Sequence, residues 1–213
     1  MSKTPTVSII LPTYNRGFTI SRAIESVIGQ TYTAWELLII DDGSADATKN
    51  IIGTFLKSDP RISYHRQKNI GSVAARQKGL KHALGRVITF IDSDDYYLPK
   101  HLEINLELLK KNPQLDMILG KAKILGDRYV PDMTDLNKKI HLDKCALYGT
   151  FFLKNKIFKK IKKLPRSQIG ADHLLHQLII KYGFLTYKNT RRTYVYDRTL
   201  PDSVTKSFVR KRS

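Results

Sequence analysis

The sequence predicts an α/β fold built on a mostly parallel, Rossmann-like sheet with helices on both faces. Two observations lead to this class. Short apolar runs alternate with segments of helical spacing through residues 1–111, and this alternation is typical of a parallel sheet with crossover helices. The run at 36–40 is apolar almost without interruption, as expected for a strand that is covered on both faces. The chain has 213 residues, which is enough for one large domain.

The first part of the chain is the more regular one. Its predicted strands are 6–11, 36–40, 62–65 and 87–91, and its predicted helices are 18–28, 45–56, 73–83 and 99–111. In the second part, the expected strands are near 117–119, 146–153 and 193–196, and the expected helix is 172–181. These segments predict a smaller, mixed region. Residues 121–142 are polar and fit neither periodicity.

The charge balance favours anionic partners. Lys and Arg number 37 against 19 Asp and Glu, which gives a formal net charge of +18. Such an excess attracts nucleotides, nucleic acid or an anionic membrane face. The single cysteine, Cys145, excludes an intramolecular disulfide and fits a reducing compartment. No apolar run reaches membrane-spanning length and no signal-peptide core is present, so a cytoplasmic location is expected.

Three aspartates follow the predicted strand 87–91, namely Asp92, Asp94 and Asp95. Ligands of open α/β sheets bind beyond this end of the strands. Two carboxylates about 4 Å apart at a half-buried surface repel by roughly 4 kcal/mol, so a cation is expected between them. Because side chains alternate along an extended chain, Asp92 and Asp94 should face one way and Asp95 the other. Mg²⁺ or Mn²⁺ suits such a pair; an acidic turn before a helix beginning at Pro99 explains the stretch equally well.

A second acidic pair, Asp41 and Asp42, follows the predicted strand 36–40. Parallel strands bring their carboxyl ends to one edge of a sheet, so the two acidic clusters are expected to share a site. Tyr14, at the end of the first strand, is placed to stack on a base at the same edge. A Gly-x-Gly-x-x-Gly fingerprint and a Walker A motif are both missing, which argues against a dinucleotide cofactor.

Four stretches, TVSIILPTYNR, WELLIIDDGSADAT, NIGSVAARQKGLKHALGRVITFIDSDDYYLP and GADHLLHQLI, occur in this order. Together they resemble the family 2 glycosyltransferases of GT-A fold, over about residues 6–205. The resemblance implies a single domain, 1–213, with a nucleotide-sugar-binding half (1–111), an acceptor half (112–205) and a basic tail (206–213). It implies metal-dependent, inverting transfer of a sugar from a nucleoside-diphosphate sugar to a hydroxyl of a glycan, a lipid-linked molecule or another acceptor.

The same resemblance assigns roles on the donor side. Tyr14 and Asp42 correspond to the base-contacting residues, and a UDP-sugar is favoured because Asp42 can accept from the N3–H of uracil. The N1–H of guanine keeps GDP-sugars open. Asp94 would hold the metal, Mn²⁺ or Mg²⁺, on the diphosphate, and Asp92 would contact ribose or metal. The remaining residues assigned to nucleotide-sugar binding are Pro12, Thr13, Asp41, Arg76, Ser93 and Arg198.

The family's catalytic base lies in a Glu-Asp pair that opens a later helix. Here the pair reads Ala171-Asp172, so the resemblance assigns Asp172 as the base although the glutamate is replaced. The alternative is a helix-start aspartate favoured by the macrodipole. A later family pattern, Arg-x-His-x-x-Ser-x-Thr, is matched in part, with Leu200 in place of its histidine. The matching residues are Arg198, Ser203 and Thr205.

Two further features leave alternatives open. The lysine-rich run 154–163 is a solvated face or, with its interleaved apolar residues, a membrane-surface segment, which would place the protein peripherally at the inner face of the membrane. A sugar-phosphate nucleotidyltransferase is the enzymatic alternative, but its glycine-rich loop is absent from 11–16, which reads LPTYNR. A nucleic-acid-binding module is disfavoured because the expected ligand edge is acidic and no recognisable binding motif is present.

Overall fold

The structure, a computed structural model, describes residues 4–135, 137–167 and 170–199. Within these ranges the helices are α1 (Ile20–Ile28), α2 (Thr48–Ser58), α3 (Ser72–His82), α4 (His101–Lys111), α5 (Lys156–Lys160) and α6 (Ala171–Lys181). The strands are β1 (Val7–Thr13), β2 (Trp35–Asp41), β3 (Ile62–Arg66), β4 (Val87–Phe90), β5 (Tyr96–Tyr97), β6 (Met117–Leu125), β7 (Tyr129–Pro131), β8 (Lys139–His141), β9 (Phe151–Lys154) and β10 (Thr186–Asp197).

Eight strands form one sheet in the order β3-β2-β1-β4-β9-β6-β10-β5, and β7 and β8 form a separate antiparallel hairpin. β1 is parallel to β2 and β4, β2 is parallel to β3, and β6 is parallel to β10. β9 runs antiparallel between β4 and β6, and β5 runs antiparallel to β10. The predicted α/β class, with a mostly parallel sheet and a smaller mixed region, is therefore confirmed.

Helices cover both faces of this sheet because neighbouring residues of β1 point into different cores. Ile9 is fully buried in a cluster with Ile24 of α1. Ile10 is fully buried in a second cluster with Ala75 of α3 and Leu175 of α6. Each fully buried aliphatic side chain of this kind stabilises the fold by roughly 1.5–3 kcal/mol. The uninterrupted apolar strands seen in the sequence reflect this two-sided burial.

The boundaries predicted at Pro12 and within 146–153 were wrong. Pro12 and Thr13 belong to β1, paired with Ile40 and Asp41, and do not break the strand before the loop. A proline is tolerated near a strand end because only one ladder donor is lost there. The strand predicted at 146–153 is confined to β9, since 148–150 forms a 3₁₀ turn. At Gly149 an added Cβ would lie 2.0 Å from Cζ of Tyr194, so this turn lets the ring pack against bare backbone.

The second part of the sheet is longer than its sequence indicated. β6 continues to Leu125 and β10 begins at Thr186, while the sequence predicted only 117–119 and 193–196. The hairpin of β7 and β8 lies in the segment 121–142 that fitted no periodicity. The first half of β10 is largely exposed, so its apolar and polar residues do not alternate clearly and the sequence did not reveal this part of the strand.

The lysine-rich run is anchored through its apolar residues. Ile157 is fully buried, Ile161 is 5% exposed, and Phe158 packs on the same core. Lysines of the same run, such as Lys159 and Lys163, are exposed. These apolar side chains therefore pack in the core and are not available to enter a membrane. Any contact of this segment with a membrane surface would be made by its exposed lysines. Among the described residues, no helix has the length and apolarity needed to cross a bilayer.

Candidate active site

The carboxyl ends of β1, β2 and β4 lie at one edge of the sheet, as predicted for the two acidic clusters. β1 pairs in parallel with both β2 and β4, so Thr13 lies opposite Asp41 and Ile10 opposite Phe90. The chain then turns after β4, where the amide of Asp95 donates to the carbonyl of Asp92 at 3.0 Å. This turn presents the Asp-x-Asp motif at the edge where ligands of α/β sheets bind.

Asp92 is paired with a buried cation from the neighbouring helix. Arg76 of α3 has a side chain only 7% exposed, and its Nη2 forms a hydrogen bond and ion pair with the carboxylate of Asp92. The guanidinium carbon of Arg76 lies 4.3 Å from the ring centroid of Tyr148, in cation–π geometry. A buried arginine held between a carboxylate and an aromatic face is fixed in position, so it also fixes the carboxylate of Asp92.

Asp94 is the second carboxylate of the motif. Burial raises the pKa of Asp94 to about 6, and the negative charge of Asp92 adds to the increase; Arg16 and Arg22 oppose it. Because burial is the main cause, the ionised form of Asp94 lacks the solvation that water would give it, and a bound cation would offset that cost. Carboxylate oxygens are the hard donors that Mg²⁺ and Mn²⁺ prefer, so the residues fit such an ion.

No group of three or more His, Cys, Asp or Glu side chains suited to a metal occurs among the described residues. Mg²⁺ in nucleotide sites commonly takes one or two carboxylates and completes its shell with water and substrate phosphates. A site of Asp92 and Asp94 alone is compatible with that mode of binding.

Asp172 opens α6 and lies within electrostatic reach of the Asp-x-Asp motif. Burial raises the pKa of Asp172 to about 6; the charge of Asp92 adds to this, and the guanidinium of Arg76 opposes it. The hydroxyl of Tyr148 donates to the carbonyl of Ala171 at 3.4 Å, which ties the start of α6 to the ring that stacks on Arg76. The structure thus brings the predicted base of one half of the chain to the acidic motif of the other.

The first aspartate of the other cluster, Asp41, is fully buried. Its carboxylate accepts hydrogen bonds from the hydroxyl of Tyr64 at 2.6 Å and the amide of Ser44 at 2.8 Å. Nε of Arg66 lies 3.8 Å from the same group. These contacts give Asp41 a role in holding the loop after β2, and its predicted contact with the nucleotide stays a prediction.

Asp42 fixes the loop that precedes α3. Its carboxylate accepts from Nε2 of Gln67 at 2.8 Å and from the amides of Ile70 and Gly71 at 3.0 and 2.8 Å. A carboxylate offers about four lone-pair positions, so three donors leave one acceptor position by count. This is the position that the predicted contact with a base N–H requires.

The other predicted nucleotide-binding residues lie at the end of β1. Pro12 and Thr13 are buried, and Tyr14 is 44% exposed. Within the described ranges, Oγ1 of Thr13 is buried without a hydrogen-bond partner. Buried hydroxyls are nearly always satisfied, so this oxygen at the acidic edge is one that a ligand can engage.

Arg198 and Ser93 complete the predicted set. Nη1 of Arg198 donates to the carbonyls of Asp127 and Tyr129 at 2.7 and 2.6 Å, so this arginine anchors the connection between β6 and β7. Ser93 is buried within the Asp-x-Asp turn. The nucleotide contacts of both stay predictions, and Leu200, Ser203 and Thr205 lie outside the described residues.

Sequence reasoning missed two residues that support the site. Tyr148 gave no signal because it lay in a segment predicted as an ordinary strand. Tyr194 was likewise assigned only to a strand, yet its hydroxyl donates to the carboxylate of Asp95, which also accepts from the amide of Asp197 at 2.8 Å. Burial, followed by the charges of Asp94 and Asp92, raises the pKa of Asp95 well above its ordinary value. Asp95 thus turns toward β10. The stretch 92–95 is a turn and not the extended chain on which the predicted alternation of side chains was based.

The fold and its acidic carboxyl edge define a GT-A-type domain, and solved structures agree. The TarS fragment 1–349 of S. aureus in complex with UDP-GlcNAc superposes with a TM-score of 0.76 at 21% identity, over 93% of this chain and 60% of that one. The mannosyltransferase PcManGT of Pyrobaculum calidifontis, in complex with GDP-Man and Mn²⁺, superposes with a TM-score of 0.75 at 16% identity, over 99% and 61% of the two chains.

The chain belongs to glycosyl transferase family 2, whose model matches residues 8–168. It is 35% identical over 195 residues to the putative teichuronic acid biosynthesis glycosyltransferase TuaG of Bacillus subtilis, covering 86% of this chain and 75% of the relative. It is 38% identical over 139 residues to WfgD of Escherichia coli, a UDP-Glc:alpha-D-GlcNAc-diphosphoundecaprenol beta-1,3-glucosyltransferase, covering 65% and 54%. An uncharacterized glycosyltransferase of Rickettsia felis, 45% identical over 106 residues, is matched over only 17% of its length. The predicted family and enzyme class are confirmed.

Proposed function

We propose that this single domain transfers a sugar, with inversion, from a nucleoside-diphosphate sugar to an acceptor hydroxyl. The observation that carries the proposal is that Arg76 lies between Asp92 and Asp172, with Asp94 in the same turn as Asp92 at the carboxyl edge of the sheet. Residues 1–111 provide the donor side and residues 112–205 the acceptor side. Direct transfer needs the groups that bind the donor and the base that serves the acceptor to lie close together in one site.

A UDP-sugar is the favoured donor. The remaining acceptor position on Asp42 matches the N3–H of uracil, and the buried hydroxyl of Thr13 lies at the same edge. Tyr14 offers an exposed ring for the base to stack on. TarS in complex with UDP-GlcNAc supports this choice, while PcManGT with GDP-Man keeps a guanine donor as the second candidate.

Asp94, with Asp92, would hold Mn²⁺ or Mg²⁺. When bound, such an ion supplies positive charge to the departing diphosphate. The protein's own contribution is positional: Arg76 keeps the carboxylate of Asp92 in one orientation, and the turn after β4 does the same for Asp94. The complex of PcManGT with Mn²⁺ supports the choice of ion.

Asp172 would take the proton from the acceptor hydroxyl as its oxygen attacks the anomeric carbon. A carboxylate with a pKa of about 6 is still ionised at pH 7 and is a stronger base than an ordinary aspartate. Attack from the side opposite the leaving diphosphate inverts the anomeric centre. A base on the acceptor half, separate from the metal ligands, suits this single displacement.

A lipid-linked acceptor and an anionic membrane face are the partners we favour, at the cytoplasmic side. The relative WfgD is named for a diphosphoundecaprenol-linked acceptor. Exposed lysines of the 156–163 segment, such as Lys159 and Lys163, give this domain a cationic surface. Each basic residue near an anionic bilayer contributes about 1 kcal/mol to binding.

Thermal denaturation with UDP-glucose, UDP-GlcNAc, GDP-mannose and ADP-glucose, each with Mn²⁺ and with EDTA, tests the proposal. A UDP-sugar at about 100 times its dissociation constant adds roughly 2.7 kcal/mol to stability, and the increase should need Mn²⁺. The matching activity assay measures the UDP that is released when the same sugar is transferred or hydrolysed. Two outcomes would contradict the proposal. In one, ADP-glucose is the only one of the four sugars that stabilises the protein; in the other, none of them does, whether Mn²⁺ or EDTA is present.

A further inference from the structure

Arg22, on α1, reaches across to the Asp-x-Asp turn. Its Nη2 donates to the carbonyl oxygen of Asp94 at 2.5 Å, and its Nη1 donates to Oδ2 of Asp197 at 2.8 Å. Its guanidinium carbon lies 4.8 Å from the ring centroid of Tyr96. One side chain thus bridges the backbone of the acidic turn and the last residue of β10.

The helix that carries Arg22 is firmly held. Ile20, Ala23, Ile24 and Val27 of α1 are all fully buried in the core of the sheet. Arg22 projects from the other side of the same turns, and the carboxylate of its partner Asp197 is only 4% exposed. A guanidinium fork with two fixed partners on a rigid helix restricts the peptide after Asp94 more than a surface ion pair would.

A second connection runs in parallel with the first. The amide of Asp197 donates to Oδ1 of Asp95 at 2.8 Å, so the residue after Asp94 is also bound to the end of β10. The acidic turn and the end of β10 are therefore joined through Arg22 and through Asp95. Removing Arg22 breaks the first connection only. The buried carboxylate of Asp95 keeps its hydrogen bonds from Tyr194 and the amide of Asp197.

We propose that Arg22 is a positioning residue that orients the carboxylate of Asp94 for the divalent cation and couples that orientation to the end of β10 at Asp197. The inference rests on the proposed function. Fixing the carbonyl of Asp94 fixes the plane of its peptide and hence the direction in which its side chain leaves the backbone. Groups that orient metal ligands from behind typically change metal affinity about 10–100-fold when they are removed.

Calorimetric titration of UDP into the full chain, with Mn²⁺ and with EDTA, tests this role. We expect Arg22→Met to weaken UDP binding in Mn²⁺ about tenfold and to leave binding in EDTA unchanged. Arg22→Lys should give a smaller loss, because lysine keeps the charge but lacks the fork that reaches both partners. Wild-type affinity for UDP in Mn²⁺ in the Arg22→Met variant, or an equal loss in EDTA, would overturn the inference.

Arg61 provides the matched control. Its guanidinium also stacks on an aromatic ring, 3.6 Å from the centroid of Trp35, and also pairs with an aspartate, Asp59 at 2.6 Å, but not with the acidic turn. Arg61→Met should lower the melting temperature at least as much as Arg22→Met and leave UDP affinity in Mn²⁺ unchanged. If it weakens that affinity as Arg22→Met does, the effect at Arg22 is one of general stability and the inference is wrong.

A double-mutant cycle with Asp197→Asn tests the coupling. If Arg22 acts through Asp197, the single change Asp197→Asn weakens UDP binding in Mn²⁺, and the double variant is no weaker than Arg22→Met alone. Additive losses would overturn the coupling. A wild-type chain that binds UDP equally well in Mn²⁺ and in EDTA would overturn the proposed metal site as well as the inference. A wild type that needs Mn²⁺, together with an Arg22→Met variant of unchanged affinity, would overturn only the inference.

Discussion

The guanidinium of Arg76 is paired with the carboxylate of Asp92 and lies over the ring of Tyr148, at 4.3 Å from its centroid. Asp92 follows β4 in the first half of the chain, and Tyr148 lies in the second half beside the start of α6. Arg76 also lowers the pKa of Asp172 against the effect of burial. One buried cation therefore links the acidic motif to the proposed base.

Replacing Asp172 by asparagine tests the base. Asp172→Asn should lower the turnover number by about 10²–10⁴ while leaving UDP affinity unchanged, because asparagine keeps the size but cannot accept the proton. In the wild type, transfer should fall as the pH drops through about 6, the value to which burial raises the pKa of Asp172. Asp135→Asn, at a side chain that is 40% exposed in the hairpin of β7 and β8, is the control. Near wild-type turnover of Asp172→Asn would leave Asp172 as a helix-start residue.

Replacing Arg76 separates charge from geometry. Arg76→Met leaves Asp92 without its cation and should cost about 3 kcal/mol of unfolding free energy, as broken buried pairs do. Because the charge of Arg76 lowers the pKa of Asp172, its loss should also move the acidic limb of the pH–rate profile to higher pH. Arg76→Lys keeps the charge, so the acidic limb of its pH–rate profile should stay close to the pH found for the wild type. An unshifted limb in Arg76→Met would show that the two groups are not coupled.

The raised pKa of Asp94 predicts an unusual dependence of stability on pH. In EDTA the folded state binds the Asp94 proton more tightly than the unfolded chain does, so this group lowers stability as the pH rises from about 4 to about 6. Asp94→Asn should therefore raise the free energy of unfolding at pH 7 by about 1–3 kcal/mol, and the gain should vanish below pH 4.

Asp59 is the control of opposite sign for that measurement. Its hydrogen bond from Arg61 lowers the pKa of Asp59, so the ionised group stabilises the fold above the unfolded pKa and the contribution is lost as the pH falls. Asp59→Asn should therefore destabilise the protein at pH 7 and converge with the wild type in acid. If Asp94→Asn and Asp59→Asn both changed the free energy of unfolding at pH 7 in the same direction, the result would argue against the buried environment found for Asp94.

Gly149 tests the packing behind the site. Gly149→Ala places a Cβ where the ring of Tyr194 now lies, so we expect a loss of about 1–3 kcal/mol in unfolding free energy. At Gly53, inside α2, an added Cβ would meet nothing within 4 Å beyond the neighbouring residues and backbone of its own helix, among the residues that the structure describes. Gly53→Ala should therefore raise stability by about 0.5–1 kcal/mol. Chemical denaturation measures both, and equal stability of the Gly149→Ala variant and the wild type would contradict the contact.

Sedimentation with vesicles of rising phosphatidylserine content tests the membrane partner. Replacing Lys159 and Lys163 by alanine should weaken binding by about 2 kcal/mol, or about 30-fold, since each lysine contributes about 1 kcal/mol near the surface. The same change at Lys110 and Lys111 of α4 keeps the net charge matched and should have a smaller effect. Binding that ignores lipid charge and salt would rule out the proposed membrane face.

Much of the donor side followed from the sequence. The short apolar runs identified β1, β2 and β4, because strands buried on both faces are apolar at nearly every position. Parallel pairing then required Asp41 and Asp92 to lie at one edge. The acceptor side was less predictable, since the second part of β6 is only half-buried, the first half of β10 is largely exposed, and neither carries a clear periodicity.

The sequence by itself determined the fold class, the family and the identity of the acidic motif, because local patterning and motif spacing are properties of neighbouring residues. Only the tertiary structure decided which charges meet. Arg76 and Asp92 are 16 residues apart, and Arg22 and Asp197 are 175 apart. No periodicity relates such positions. Arg76 meets Asp92 because α3 packs on β1, the strand that pairs with β4. Arg22 meets Asp197 because β9 runs antiparallel between β4 and β6, which brings β10 of the second half to the first.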